Sequence, residues 1–314
     1  MSCEDCKYRV KDYSTGTEDC MKYDEMTEEE TQTYWTDGGS GCPYYEEDNY
    51  DMFAEDFSSC RIMTEKGAWM FNCAERDPIY NLKPYDYMTC NPHTLIGGST
   101  GCGKSVMIDV IMYSLLTDRE RGASPLFYLI DPKRVSLNKY RGLYGVRRYG
   151  CEYSESKDIL EDVIRQMEYR YKIMQQRGEV LINAVDVYVV IDELADLLTM
   201  PQSRKEIKPL IQRIAQLGRA ARIHLIAATQ CPARKIIPAE LTLNFTEKVA
   251  LKCDTAIESR QLIGVPGAEQ INQYGIAYLR TKGKLHKIEV PMIPDDEIQR
   301  AVDYLKCNAH LRIV

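Results

Sequence analysis

Residues 93–116 place the tightest constraint on what this chain can fold into. The apolar run HTLIG (93–97) leads into GSTGCGKS (98–105), of the form G-x-x-x-x-G-K-[ST], and then into VMIDVIMYSLL, apolar at helical spacing. A strand that passes through a glycine turn straight into a helix belongs to a layered α/β fold, because the helix packs back over the sheet that holds the strand. The turn also has a chemistry. Its glycines let successive backbone N–H groups point inward, and the start of the helix adds its positive dipole end, so the stretch can cradle phosphates. Gly98, Ser99, Thr100, Gly101, Cys102 and Gly103 would wrap the phosphates of ATP, Lys104 would reach the β and γ phosphates, and the Ser105 hydroxyl would ligate Mg2+.

The alternation continues along the chain. LFYLID (126–131), VYVVID (187–192) and IHLIAAT (223–229) are continuous apolar runs, the pattern of parallel strands covered on both faces. Residues 104–116, 157–177 and 203–221 have helical periodicity. KVALKC (248–253), GIAYLR (275–280) and KLHKIEVPMI (284–293) add strands, and DDEIQRAVDYLK (295–306) is a closing helix with acidic residues in its first turn. The expected class is a doubly wound α/β core.

VYVVIDEL brings Asp192 and Glu193 to the C-terminal end of a buried strand, the edge where such sheets bind ligands. An aspartate there can hold the Mg2+ shell, and a glutamate directly after it can orient and deprotonate the water that attacks the γ phosphate. The competing role for the pair is to cap the helix ELADLL. IHLIAATQ ends in Thr229 and Gln230, which would sense the γ phosphate or the lytic water if this strand lies between the other two; their competing role is to cap the turn at Cys231 and Pro232.

Charge divides the chain in two. Residues 1–60 hold 17 acidic and 4 basic side chains, net −13, while residues 61–314 hold the remaining 30 and 36, net +6. The whole-chain value of −7 therefore says little about partners. Of the twelve cysteines, Cys3, Cys6, Cys20 and Cys42 stand as C-x2-C-x13-C-x21-C, with the turn DGGSGCP around Cys42. Two readings stay open: an all-cysteine zinc module, in which metal binding supplies the folding energy, or an acidic arm with incidental thiols. No apolar run approaches the roughly 18 residues of a membrane span, and the N-terminus lacks the pattern of a signal peptide. The expected location is cytoplasmic.

The ordered motifs NPHTLIGGSTGCGKSVMID, LIDPKRVSL, MEYRYKIM, VVIDELADLL, RIAQLGRAARIHLIAATQ, SRQLIGVPGAEQI and DDEIQRAVDYLK resemble the motor domain of the FtsK/SpoIIIE family of DNA translocases, over about residues 70–307. The resemblance implies a RecA-like P-loop NTPase core with a mostly parallel sheet at 93–314. Residues 61–92 would lead into it, behind the cysteine-rich region at 1–60. It implies a DNA-dependent ATPase that assembles as a ring, a hexamer by resemblance, around double-stranded DNA and moves it. Lys104, Glu193 and Gln230 would act in catalysis, Ser105 and Asp192 would hold Mg2+, and an arginine would be supplied in trans. Candidates for that arginine are Arg219, Arg222 and Arg260, and Arg260, within SRQLIGVPGAEQ, is the one expected to act in catalysis.

Lys133 and Arg134 of DPKR are expected near phosphate or at an interface. RGLYGVRR (141–148) and RTKGK (280–284) are candidate DNA contacts, each of which could equally be a solvated face. Three departures stand out. Cys231 replaces a usual arginine, and Arg222 a usual glycine. The membrane anchor and accessory domain before the motor, and the winged helix after it, are missing from the sequence. A short soluble motor of a mobile element, plasmid or phage is the expectation. The alternative is a conjugative coupling protein, or a nucleotide-dependent adaptor whose N-terminal region recruits a protein partner.

Overall fold

The computed structural model describes residues 93–117 and 125–307, except 231, 234, 282 and 291, together with three short strands nearer the N-terminus. Of these, β1 (Arg9–Asp12) and β2 (Thr17–Cys20) pair antiparallel with each other. The third, β3 (Asn72–Cys73), joins a larger sheet with β4 (His93–Gly97), β5 (Leu126–Ile130), β6 (Val146–Gly150), β7 (Val187–Ile191) and β8 (Ile223–Thr229). Also in that sheet are β9 (Glu247–Ala250), β10 (Ile276–Thr281) and β11 (Lys284–Glu289), and the order is β3-β11-β10-β9-β4-β8-β7-β5-β6. The strands from β9 to β6 run parallel, and β10, β11 and β3 continue the sheet antiparallel.

The helices are α1 (Lys104–Thr117), α2 (Tyr153–Arg177), α3 (Leu194–Thr199), α4 (Ile207–Leu217), α5 (Ala239–Thr242), α6 (Ala256–Ile263) and α7 (Asp295–Cys307). They cover both faces of the sheet. Because successive strand residues point to opposite faces, the continuous apolar runs feed two cores. Leu95, Val187, Val189, Leu225 and Ala227 pack with α2 and α4, while Ile96, Tyr188, Val190, Ile226 and Ala228 pack with α1 and α7. The α1 helix is buried from Met107 to Leu116. It is apolar all round because it lies between the sheet and α7, where the Tyr113 hydroxyl donates to Glu297 at 3.2 Å.

Glu152 and Glu155 form the capping box that starts α2, and Gly178, at φ 68°, ends it with its N–H on the Met174 carbonyl. Within this helix the MEYRY motif has a structural use. Buried Arg170 donates to the carbonyls of Ala221 at 2.7 Å and Val185 at 2.9 Å, so it ties α2 to the segments that enter β8 and β7. Burial lowers its pKa to about 10, which leaves it charged at neutral pH.

Several boundaries differ from the sequence expectation. The periodic stretch 203–221 begins in a 3-10 turn at Pro201–Arg204 and continues as the helix α4, which stops at Gly218 in a tight approach to β8. RGLYGVRR runs into the edge strand β6, where exposed Arg147 and half-buried Arg148 hid its strand character. SRQLIG was read as a motif without an element, yet it forms α6, started by a capping box of Thr255 and Glu258. RTKGK holds the turn between β10 and β11, with Thr281 opposite Lys284.

Candidate functional site

The glycines around the loop are required for different reasons. At Gly97, the last residue of β4, a Cβ would lie 2.3 Å from Leu262 Cδ2 of α6; at Gly98 it would meet Cys102 Sγ at 2.6 Å and the Lys252 carbonyl at 2.9 Å. Gly101 and Gly103 have open space around them but stand at φ 75° and 102°, where a side chain is strained. Ser99 straps the loop down through its N–H and hydroxyl, both on the Lys252 carbonyl at 2.8 and 3.0 Å. The Lys104 ammonium is buried in the loop, donating to the Gly98 and Ser99 carbonyls at 2.7 and 2.6 Å. Burial pushes the neighbouring Cys102 thiol up despite the lysine beside it, so it stays protonated.

Strand β8 lies between β4 and β7, and its Thr229 is in register with Gly97. The phosphate loop, Asp192 and Gln230 therefore meet at one sheet edge. Burial raises the Asp192 carboxyl above the usual range, with the nearby Asp131 and Glu193 charges acting in the same direction; a hydrogen bond with Ser136 opposes them. The Ser136 hydroxyl also stands 3.2 Å from the Ser105 hydroxyl. Asp131 accepts from the Leu137 N–H at 3.0 Å and the Tyr149 hydroxyl at 3.3 Å through Oδ2, whereas its buried Oδ1 has no partner among the described residues. The set is all oxygen, and an orphaned buried acceptor stands beside it. That suits a hard cation such as Mg2+ or the water around one.

Glu193 is 2% exposed and carries several bonds at once. It does cap α3, with Oε1 accepting from the Ala195 N–H at 3.3 Å. The Gln230 N–H donates to Oε1 and Oε2 at 3.1 and 3.2 Å, and Lys133 makes an ion pair with Oε2 at 3.0 Å. The Gln230 side-chain oxygen in turn accepts from the Thr100 hydroxyl at 3.1 Å. Gln230 thus joins the glutamate to the phosphate loop, with its backbone on one and its side chain on the other.

The candidate arginines stand apart from this cluster. Arg222 precedes β8, at the far end from Gln230, and its guanidinium is bound bidentate to Asp186 at 2.8 and 3.0 Å. Arg219 borders a hollow of about 410 Å3 there, next to Leu181 and Leu217. Arg260 is exposed on α6 and lines a cavity of about 280 Å3 with Lys248 and Arg280. Neither Arg219 nor Arg260 has an ion-pair partner among the described residues. Cys3, Cys6, Cys42 and Cys231 lie outside the described residues, and Cys20 ends β2.

Sequence reasoning placed DPKR near phosphate but missed the contacts of this segment: Lys133 on Glu193, Asp131 beside Asp192, and Ser136 between Ser105 and Asp192. The available signal was position, since LID ends a strand at the same edge as VID. Ser136 has no signal in its residue type.

No helix among the described residues is long and apolar enough to cross a membrane. In solved structures the fold is similar to the pCW3 conjugation coupling protein TcpA with ATPgS, at TM-score 0.65 and 21% identity, over 78% of this chain and 72% of that one. It is also similar to EssC (ATPases 2 and 3) from Geobacillus thermodenitrificans, at TM-score 0.62 and 15% identity, over 78% and 50%. These likenesses carry the fold, a mostly parallel sheet covered by helices on both faces. Among sequences, the chain is 34% identical over 249 residues to the DNA translocase FtsK of Chlorobaculum tepidum, covering 72% of this chain and 31% of that protein. It is 30% identical over 259 residues to that of Rickettsia typhi, covering 68% and 35%. The chain thus spans about a third of these relatives' length. The sequence model of the FtsK/SpoIIIE family matches residues 75–186 and 180–234, half of the chain, through the phosphate loop, the acidic pair and β8. On that match, and on the way those motifs converge, the chain belongs to the FtsK/SpoIIIE family.

Proposed function

We propose that this chain is the ATP-hydrolysing motor of a double-stranded DNA translocase that works as a ring oligomer, six-membered by resemblance. The observation that carries the reading is the placement of Glu193 beside the phosphate loop, joined to it through Gln230 and Thr100. ATP would enter with its phosphates on the loop amides, and the Lys104 ammonium would exchange the carbonyls of Gly98 and Ser99 for phosphate oxygens. Ser105 and Asp192, with Ser136 behind them, would hold Mg2+, which when bound neutralises charge on the phosphates. Glu193 would accept a proton from water as its oxygen bonds to the γ phosphorus and the bond to the ADP oxygen breaks. Gln230 would report the presence of the γ phosphate to β8. Arg260, exposed and unpaired among the described residues, is the proposed arginine supplied to a neighbouring site.

DNA enters through the family and the charge. The relatives named above are DNA translocases, and residues 61–314 carry net +6. Contacts to backbone phosphate suit a motor that must not be held by particular bases, and such binding weakens steeply with salt. The deciding experiment is ATP turnover with and without duplex DNA. Wild type should be stimulated, Lys104→Ala should lose nucleotide binding, and Glu193→Gln should keep nucleotide but turn over about 10²–10⁴-fold more slowly. Turnover that DNA leaves unchanged would refute the translocase and favour a nucleotide-dependent adaptor. Cys3, Cys6, Cys20 and Cys42 are proposed as zinc ligands, and purified full-length protein without bound metal would exclude this.

A further inference from the structure

We infer that Lys133 is a positioning residue that latches Glu193 in the resting site and sets the basal rate of hydrolysis. The inference rests on the reading of Glu193 as the base. Both carboxylate oxygens are already engaged: Oε1 by the N–H groups of Ala195 and Gln230, Oε2 by the Gln230 N–H and by the Lys133 ammonium at 3.0 Å. Side-chain exposure of Glu193 is 3%, so its lone pairs face protein rather than solvent. A carboxylate held in this way has few lone pairs left to receive a hydrogen bond from water. One bond has to be given up first.

Which bond can be given up follows from where the donors are anchored. The Ala195 N–H belongs to the first turn of α3, and the Gln230 N–H follows the last residue of β8, a strand paired on both sides. Neither moves without distorting an element. Lys133 is different. Its side chain is 34% exposed on a flexible four-carbon stem, in a turn whose next residue, Arg134, stands at φ 61° and is tied outward to Glu152. The same segment reaches the rest of the site through Ser136, which contacts Ser105 and Asp192. A γ phosphate arriving at this edge brings negative charge that competes with Glu193 for the lysine, and departure of the lysine frees Oε2 toward the water. The latch thus couples release of the base to arrival of the substrate, and it holds the base back when the site is not fully assembled.

The test is steady-state ATP turnover by the full chain without and with duplex DNA, on wild type, Lys133→Met, Lys133→Arg, Glu193→Gln and the double variant Lys133→Met, Glu193→Gln. Lys133→Met keeps the length of the stem and removes the charge. It should raise basal kcat at least threefold with KM within twofold of wild type, and it should narrow the ratio of DNA-stimulated to basal rate. Lys133→Arg retains a cation and should restore the wild-type basal rate. The double variant should be as slow as Glu193→Gln, which shows that the added turnover passes through Glu193. Binding of a fluorescent ATP analogue checks that each variant is folded. A basal kcat in Lys133→Met at or below wild type, or a change in KM alone, overturns the latch. If Glu193→Gln keeps wild-type turnover, the assignment of the base fails instead, so the two failures are distinguishable.

Discussion

Gly218→Ala sets local propensity against tertiary packing, and the structure says which prevails. Gly218 closes α4 at φ −58° and ψ −33°, ordinary right-handed helix that any residue can adopt. From propensity and unfolded-state entropy alone, alanine would stabilise the protein by about 1 kcal/mol. A Cβ at this position, however, would lie 2.6 Å from both the Ile214 and Ile223 carbonyl oxygens and 3.1 Å from His93 Cε1, where ordinary contact begins at 3.4 Å. Neither oxygen can retreat freely. Ile214 O accepts the N–H of Gly218 itself at 2.7 Å, and Ile223 belongs to β8 in register with Val187 of β7. The junction of α4 and β8 has to open instead, at an overpacking cost of about 1–3 kcal/mol that is most simply placed at its upper end for two backbone clashes. Net destabilisation of roughly 1–2 kcal/mol then lowers the melting temperature by about 2–8 °C for a domain of this size. Thermal unfolding followed by circular dichroism, with urea midpoints as a cross-check, measures it. A melting temperature at or above that of wild type would show that the junction yields without cost and would refute the reasoning.

Two further predictions concern the sheet end opposite the nucleotide edge. His93 is buried, its Nδ1 accepts the Leu225 N–H at 3.0 Å, and burial followed by the His224 charge lowers its pKa to about 3. The folded state therefore resists a proton that the unfolded chain takes up near pH 6.5, so stability falls with decreasing pH between about 6.5 and 3, by about 1.4 kcal/mol per unit once well below 6.5. His93→Asn, which offers an acceptor that does not titrate, should flatten this slope in urea unfolding at pH 7, 6 and 5; parallel slopes would count against it. Asp186 binds Arg222 and, at 3.1 Å, His224, with its side chain 5% exposed. Asp186→Ala strips a buried counter-ion and should destabilise by about 3–5 kcal/mol; a urea-derived loss below about 1 kcal/mol would mean that the pair is effectively solvated.

The nucleotide edge was legible because its chemistry is local in sequence. GSTGCGKS, VYVVIDEL and HLIAATQ each announce a strand end with the residue types that phosphate chemistry needs, and the structure gathers all three at one edge with β8 in the middle. The capping role weighed for Glu193 is present in the structure, since it caps α3 while facing Gln230 and Lys133. Less legible were features whose residue type misleads. Arg148 of β6 looked like solvated charge although it is half-buried, and Arg222 was a candidate for action in trans although its guanidinium is taken up by Asp186.

The sequence by itself determined the α/β layering, the parallel core and the loop that suits phosphates, because hydrophobic periodicity and glycine turns act over a few residues. Tertiary structure alone decided that Ser136 stands between Ser105 and Asp192, that Lys133 closes on Glu193, and that Arg170 braces two strand entries 15 and 51 residues away. Those contacts depend on which strands become neighbours in the sheet. Strand order is set by the packing of whole helices on two faces, a balance summed over the entire core rather than carried by any one segment.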